Sequence, residues 1–435
     1  SALRFEDLSA DAVDLAGHCL LDWFAVTLAG AEDDGVVMLR ETCLADGASP
    51  VATLVCDGRA TSPAQAALIN GTASHALDYD DVNLAIIGHP TVVLAPAILA
   101  LAEKIGASGR DVITAFVAGY DVCCRVGALT SPSHYGHGFH ATGTVGTLGA
   151  AAACARLLGL DADRTAMALG IAATTAAGLK SMFGTMCKPL HAGRAAECGL
   201  QAAVLAAQGF VARPDAIECR QGFAATQSTD FHVEAALAAL DPDHHLRNNL
   251  FKYHASCYLT HAPIEAGRKV AAAAGVSPQA IERIEIAVAP VTDGVCNIPS
   301  PRTGLEAKFS LRLTTAMALA GRDTSAIATF DDAGTADPTL VELCRRTTVR
   351  FVDGWNDTRS AVTIELADGR RFSAEHDAGI PSSDLAAQGA RLGAKFRSLV
   401  VPLLGAAQAD ALARAVVALP DAGSVRDTMI LARRP

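Results

Sequence analysis

Ile281-Glu-Arg-Ile-Glu-Ile-Ala-Val288 is where the texture of the chain changes, and it decides the fold class. Its isoleucines alternate with charged residues, which is the period of a half-buried strand and not of a helix. Thr348–Val352 and Ala361–Leu366 repeat the alternation, and Asp368-Gly369 supplies a hairpin turn ahead of Phe372. Helical spacing at 307–320 and 338–345 lies between these strands. Together they predict a small α+β unit of roughly 110–120 residues, within the usual domain range.

On either side of that unit the spacing is helical. Leu8, Ala12, Leu15, Cys19, Trp23 and Val26 recur on one helical face. Ser62-Pro63 reads as a cap followed by proline at the first helical position. Stretches 90–104, 108–129, 144–158, 162–179 and 189–208 continue the series, and helical spacing returns at 383–404 and 406–419. The expected fold is therefore mainly α. A large all-helical domain comprises 1–265 and 395–435, and a smaller α+β domain, 266–394, is inserted before the C-terminal helices. A cleft between two domains is a natural place for a ligand.

Composition narrows the function. At 435 residues, two domains are the default. The chain is 51% hydrophobic but 5% aromatic, so alanine carries much of the apolar fraction and the helices are expected to pack closely. A net charge of −11 argues against a nucleic-acid partner. No apolar run is expected to cross a bilayer, and no signal pattern opens the chain, so no membrane partner is expected. The 12 cysteines, scattered apart from Cys123-Cys124 and without zinc-like spacing, suit buried thiols in a reducing, cytoplasmic setting.

Four polar segments interrupt the apolar helices. Lys188-Pro-Leu-His191-Ala-Gly-Arg194 places three basic residues within one helical stretch, and Lys188 and His191 can share a face. Asn70-Gly-Thr-Ala-Ser-His75-Ala-Leu-Asp78-Tyr-Asp80-Asp81 leads to Gly88-His89-Pro90. Its carboxylates suit a metal site, a group that orients a histidine, or a solvated loop, and His89 precedes a helix start that favours a bound anion. Ser131–Thr144 holds His134, Tyr135, His137 and His140 in a Gly-rich loop before a helix. Imidazoles there suit proton transfer, and their spacing matches no common metal motif, so no metal is expected. Lys252-Tyr-His-Ala-Ser-Cys257 holds a cysteine that is either a nucleophile or an inert thiol, and Lys308 opens a helix farther on. A carbon next to a carboxylate is a weak acid, and pre-placed cations in a dry cleft stabilise the charge that develops when its proton leaves. A non-catalytic helical scaffold would instead spread its polar residues over solvated faces.

These segments resemble the MmgE/PrpD family. The resemblance rests on NGTASHALDYDD with GHP, GFHATGTVGTLGAAAA, KPLHAGRAAECGLQAA, KYHASCYLTHAPIEA and AKFSL, in order along nearly the whole chain. It implies a cofactor-independent acid/base enzyme, a homodimer, acting on a small di- or tricarboxylate. The family includes 2-methylcitrate dehydratase, cis-aconitate decarboxylase and iminodisuccinate epimerase. SHYGHGFH and KSMFGTMCKPLHAGRAA look most like the epimerase branch, so an isomerase is the leading expectation, a hydro-lyase the second and a decarboxylase the third. Carried over by position, the decarboxylase branch suggests site roles for Asp78, His89, His140, Lys188 and Lys252. It has a histidine where this chain has Cys257, which weighs against decarboxylation.

On this reading Lys188 and His140 form the acid/base pair, with Tyr135 assisting. Asp78, Asp81, His89, His137, His191, Arg194, Lys252, Cys257 and Lys308 line the substrate. Asp78 or Asp81 would orient a histidine, and Arg194 or His191 would lower the Lys188 pKa.

Overall fold

The structure, a computed structural model, describes residues 3–55 and 57–434. It is mainly helical, with a small mixed β-sheet domain inserted before the C-terminal helices. Two compact units divide the chain: one runs to Phe251 and resumes at Ser382, and the other is Lys252–Pro381. The sequence pattern put these changes at 266 and 394. The polar segment from 252 goes with the second unit because its bonds lie there. The Ala255 amide donates to the Thr324 carbonyl at 2.9 Å, and His254 pairs with Thr324 at 2.7 Å and with Glu265 at 2.9 Å.

The large unit is built from long helices whose starts are written in the sequence. Helix α1 (Ala10–Gly30) is capped by Ser9, whose hydroxyl accepts from the Ala12 amide at 3.1 Å. Helix α2 (Asp34–Ala45) has only two buried side chains, Val36 and Arg40, which is why apolar spacing did not reveal it. Strands β1 (Ala52–Thr53) and β2 (Ala60–Thr61) form a short antiparallel pair among these helices. Helix α3 (Pro63–His75) follows the Ser62 cap. Helix α4 (Thr91–Ile105) stops at Gly106, whose φ of 71° suits glycine. Helix α5 (Gly109–Thr130) opens with a Ser108/Asp111 capping box. Helices α6 (Ala141–Leu157), α7 (Ala162–Thr175) and α8 (Cys187–Ala207) complete the core, and α12 (Leu385–Leu404) and α13 (Ala406–Val417) close it.

The expectation that no segment is apolar and long enough to cross a bilayer is corrected for α1 and α5, which meet both measures. Their apolarity goes into the fold instead: 72% and 78% of those windows are buried.

Small residues let these helices approach closely. Helix α3 crosses α8 at Gly71 and Gly193, and a Cβ on Gly71 would stand 2.8 Å from the Gly193 Cα. A methyl on Gly193 would collide with the Leu68 carbonyl and the Thr72 hydroxyl. This crossing brings the first turn of α8 beside the chain that leaves α3. Gly193→Ala is therefore expected to cost about 2–3 kcal/mol through overpacking. Urea denaturation measures that loss, and an unchanged midpoint would mean the crossing yields without cost.

In the second unit, helix α9 (His261–Ala274) packs against strands β5 (Arg359–Leu366) and β6 (Arg371–Asp377). The sheet has the order β4-β3-β5-β6, with β3 as Ile281–Val288 and β4 as Thr347–Phe351. Strands β3 and β4 are parallel, and the other pairings are antiparallel. A register shift between Ile281 and Arg283 explains why Ile281 and Ile284, three apart, are both buried. Helices α10 (Leu311–Leu319) and α11 (Pro338–Arg345) fill the remaining expectations.

Buried thiols match the cysteine reading at Cys19, Cys123, Cys124, Cys154 and Cys296, while Cys56 lies outside the described residues. Burial pushes the Cys123 thiol up to about 12, where it is inert.

Candidate active site

The loop between α3 and α4 is held by its own backbone. Asn83 and Gly88 form a bridge, and Val82 pairs with Leu250 through bonds of 2.7 and 2.8 Å. The Asn83 side chain accepts from the Ala85 amide at 2.9 Å and donates to Tyr120 at 3.2 Å. Asp78 takes a φ of 50°, a left-handed conformation that is uncommon and costly outside glycine. Such strain persists where neighbours over-determine it, and here the fixed groups are His75, Asp80, Asp81 and His89.

Asp80 is buried and sits between two imidazoles. Nδ1 of His75 lies 3.0 Å from both of its oxygens, and Nδ1 of His89 lies 2.9 Å from Oδ2. Burial would raise the Asp80 carboxyl, but the two facing rings outweigh it and hold the group well below the usual carboxylate range. His75 is wholly buried, which pushes its pKa down to about 4 against the pull of Asp80. His75 is thus neutral near neutral pH and Asp80 is an anion.

Asp81 differs from its neighbour. Its Oδ2 accepts from the Thr91 hydroxyl, and its Oδ1 is buried without a hydrogen-bond partner among the described residues. Burial pushes its pKa up to about 7, opposed by Thr91 and helped by the Asp22 and Asp80 charges. A folded-state pKa above the unfolded value of about 3.9 gives stability that is full below that pH and is lost as pH rises through the folded value. Asp81→Asn removes the titration and keeps an acceptor for Thr91. The Tm difference, variant minus parent, is expected to grow between about pH 5 and about pH 8.5, by an energy of at most roughly 3 kcal/mol. Calorimetry at the two pH values checks this. A constant difference would mean that Asp81 does not titrate in that window.

Helix α8 brings Lys188 to this loop. Its ammonium lies 2.7 Å from Asp78 Oδ1 and 5.4 Å from the centre of the Phe183 ring. Its neighbour is therefore a carboxylate, not the Arg194 of the sequence reading. Arg194 is exposed and pairs with Glu197 instead. His191, on the same helix, does reach the cluster: its Nδ1 stands 3.1 Å from Nδ1 of His140.

His140 precedes α6 and is placed by a short backbone pairing. Its amide donates to Gly178 O at 3.0 Å, and the Lys180 amide donates to Gly138 O at 2.8 Å. Its ring stacks on His75 at 5.7 Å and meets the Phe183 ring edge-to-face at 4.9 Å. Burial, with His75, Lys188, His89 and His191 adding, drives its pKa far down, so His140 is neutral. Tyr135 is half-buried under the Lys180 ammonium, 3.6 Å from its ring centre. Burial and the Asp78 charge raise its hydroxyl above the ordinary range. His137 is exposed.

Lys252, Cys257 and Lys308 lie in the second unit. Lys252 is buried, and the Cys257 amide donates to Lys308 O at 3.0 Å. Cys257 also hydrogen-bonds Cys296, whose thiol is raised by that bond and by burial.

Of the sequence candidates, the structure gathers Asp78, His89, His140, Lys188 and His191, with Tyr135 alongside. His75, Asp80, Lys180 and Phe183 were missed. The first two stand inside the quoted NGTASHALDYDD motif, but nothing in it says which carboxylate turns inward. Asp80 is the carboxylate whose oxygens come within 3.0 Å of two histidines, Asp78 stands 4.0 Å from His89 Nε2, and Asp81 meets His89 Nδ1 through its carbonyl at 2.8 Å.

His75, Asp78, Asp80 and His89 bring donor atoms within 4.8 Å of one another, a composition that also suits a metal ion. A divalent cation there would stand beside the Lys188 ammonium, which already pairs with Asp78. Chemically, the cluster offers the Lys188 ammonium, with Lys180 over Tyr135, and several neutral imidazoles, suited to binding carboxylates and moving one proton.

Comparison with known proteins follows the same segments. The family description MmgE/PrpD N-terminal domain matches residues 1–236, and MmgE/PrpD C-terminal domain matches 254–421. The chain is 32% identical over 287 residues to a cis-aconitate decarboxylase-like protein, oryM, of Aspergillus oryzae, covering 62% of this chain and 59% of that protein. It is 28% identical over 284 residues to cis-aconitate decarboxylase of Aspergillus terreus, covering 62% and 58% respectively. The human cis-aconitate decarboxylase is 29% identical over 331 residues, covering 72% of this chain and 68% of that protein. The first two relatives are thus matched over less than two thirds of their length. These relatives overturn the isomerase expectation, because a decarboxylase is a carbon–carbon lyase. The similarity that favoured the epimerase rests on two short stretches, 133–140 and 180–196, whereas these matches span hundreds of residues.

Proposed function

The chain belongs to the MmgE/PrpD family, and on that footing we propose that it is a lyase acting on a small polycarboxylate, with decarboxylation of a cis-aconitate-like tricarboxylate as the leading reaction. The observation that carries this reading is the Lys188 ammonium, held 2.7 Å from Asp78, whose charge bears on neutral, buried His140, itself 3.1 Å from half-buried His191.

The reaction needs what that arrangement offers. As carbon dioxide leaves, the electron pair of the broken C–C bond forms a new double bond. The old double bond shifts its pair to the carbon beside a second carboxylate. Negative charge then spreads onto that carboxylate, and fixed cations and N–H donors in a dry site stabilise it. One proton must reach the carbon, and Lys188 is the group that carries one to give. His140 and His191 are neutral rings that pair with each other through Nδ1 at 3.1 Å, and Tyr135 contributes a hydroxyl that stays protonated.

A second reading keeps the same residues. Cys257 stands where the decarboxylase branch has a histidine, which favours a hydro-lyase that expels a β-hydroxyl. Incubation with cis-aconitate in heavy water separates the two. Carbon dioxide release with one deuterium in the product, seen by mass spectrometry and NMR, supports the decarboxylase. Alkene formation from hydroxy-tricarboxylates, without carbon dioxide, moves the assignment to the hydro-lyase. Neither reaction on a panel of di- and tricarboxylates would sink the lyase reading.

A further inference from the structure

Nδ1 of His89 faces two acceptors at once, Asp80 Oδ2 at 2.9 Å and the Asp81 carbonyl at 2.8 Å. A carbonyl cannot donate and an ionised carboxylate cannot either, so the ring nitrogen between them must carry the proton. His75 repeats the geometry, with Nδ1 3.0 Å from both oxygens of the same Asp80. Its Nε2 is buried without a hydrogen-bond partner among the described residues, so a proton on that nitrogen would find no acceptor there.

We propose that Asp80 is a positioning residue that fixes both His75 and His89 as their Nδ1–H tautomers. His89 then presents a bare Nε2, 4.0 Å from Asp78 Oδ1, as a preset acceptor in the site. This places a division of labour within the cluster. Lys188 supplies charge and a proton, and His89 receives a hydrogen bond from the substrate or from a group that the substrate displaces. A ring free to choose would spend much of its time in the other tautomer, turning a donor toward the same place. One carboxylate shared between two imidazoles prevents that for both rings together, and the Gly88-His89 backbone adds to the hold through its bond from the His89 amide to Thr142 Oγ1 at 3.1 Å. The inference rests on the lyase reading only in taking the Asp78 side as the substrate side.

The test uses the full chain labelled with 15N-histidine and read by long-range proton–nitrogen correlation spectra, with His75→Gln and His89→Gln assigning the two rings. The parent protein is expected to show both rings with Nδ1 protonated and Nε2 bare. Asp80→Asn, which cannot accept from both rings as a carboxylate does, is expected to lose that signature in at least one of them while the His140 and His191 signals stay. An Nε2–H tautomer at either ring of the parent overturns the proposal, whether or not Asp80→Asn folds. Retention of both signatures in a folded Asp80→Asn overturns it too. Stoichiometric uptake of Zn2+ by the parent, with loss of both Nδ1 protons, would replace the lock by a metal centre. None of these readouts needs a substrate, so they stand or fall apart from the lyase assignment.

Discussion

Lys188→Met is expected to lower kcat/KM on the substrate by about 10³-fold or more, or ~4 kcal/mol of transition-state stabilisation. The variant loses both the proton to be given and the fixed charge that meets the developing anion, and each alone is worth about 10²-fold or more. Stability should change little. Asp78, left without Lys188, has a side chain that is 40% exposed and can be hydrated. Lys188→Arg separates the two roles: a guanidinium keeps the charge but holds its proton too tightly to give it up. KM is then expected to recover more than kcat. Steady-state kinetics with denaturation curves on the same samples check this. Full activity in a folded Lys188→Met would remove Lys188 from the chemistry.

Lys395→Met is expected to cost roughly 3–5 kcal/mol of stability, because it leaves a buried charge without its partner. Lys395 lies 2.6 Å from Asp22, with both side chains almost wholly buried, and its ammonium also donates to Tyr79 O at 2.7 Å and sits 3.9 Å from the Tyr79 ring centre. Pairing the change with Asp22→Leu removes both charges and is expected to restore much of the loss, as apolar replacements of buried ion pairs often do. Tyr79 lies between Asp78 and Asp80, so the double variant should regain stability while catalysis stays impaired by a looser loop. Urea midpoints read the first effect and kcat the second. A Lys395→Met protein as stable as the parent would show that water reaches this pair.

How far the chain could be read in advance depended on the range of the forces involved. The Ser62 cap acts within three residues, so the start of α3 was visible in the sequence, whereas α1 was read from residue 7 and begins at Ala10 behind a Ser9 cap. Strand alternation at 281–288 is equally local. Helix α2 escaped because it buries little, and apolar periodicity records burial and not helicity as such. The site was legible as segments. His140, Lys188 and His89 were named because imidazole and ammonium groups stand out in alanine-rich surroundings.

Their partners were not legible. Asp78, Asp80 and Asp81 lie within four residues, yet one pairs with an ammonium 110 positions away, one is shared by two imidazoles and one is buried with a raised pKa. Arg194 looked like a neighbour of Lys188 and instead turns to Glu197 on its own helix. The sequence by itself determined the helical class, the inserted β unit and the kinds of group the site contains, because caps, turns and periodicity are properties of neighbouring residues. Only the tertiary structure decided which carboxylate holds which base. Charge pairing and desolvation depend on distances of a few ångströms; the Gly71–Gly193 crossing brings α3 and α8 together, and Lys395, paired with Asp22, holds the Tyr79 carbonyl between Asp78 and Asp80.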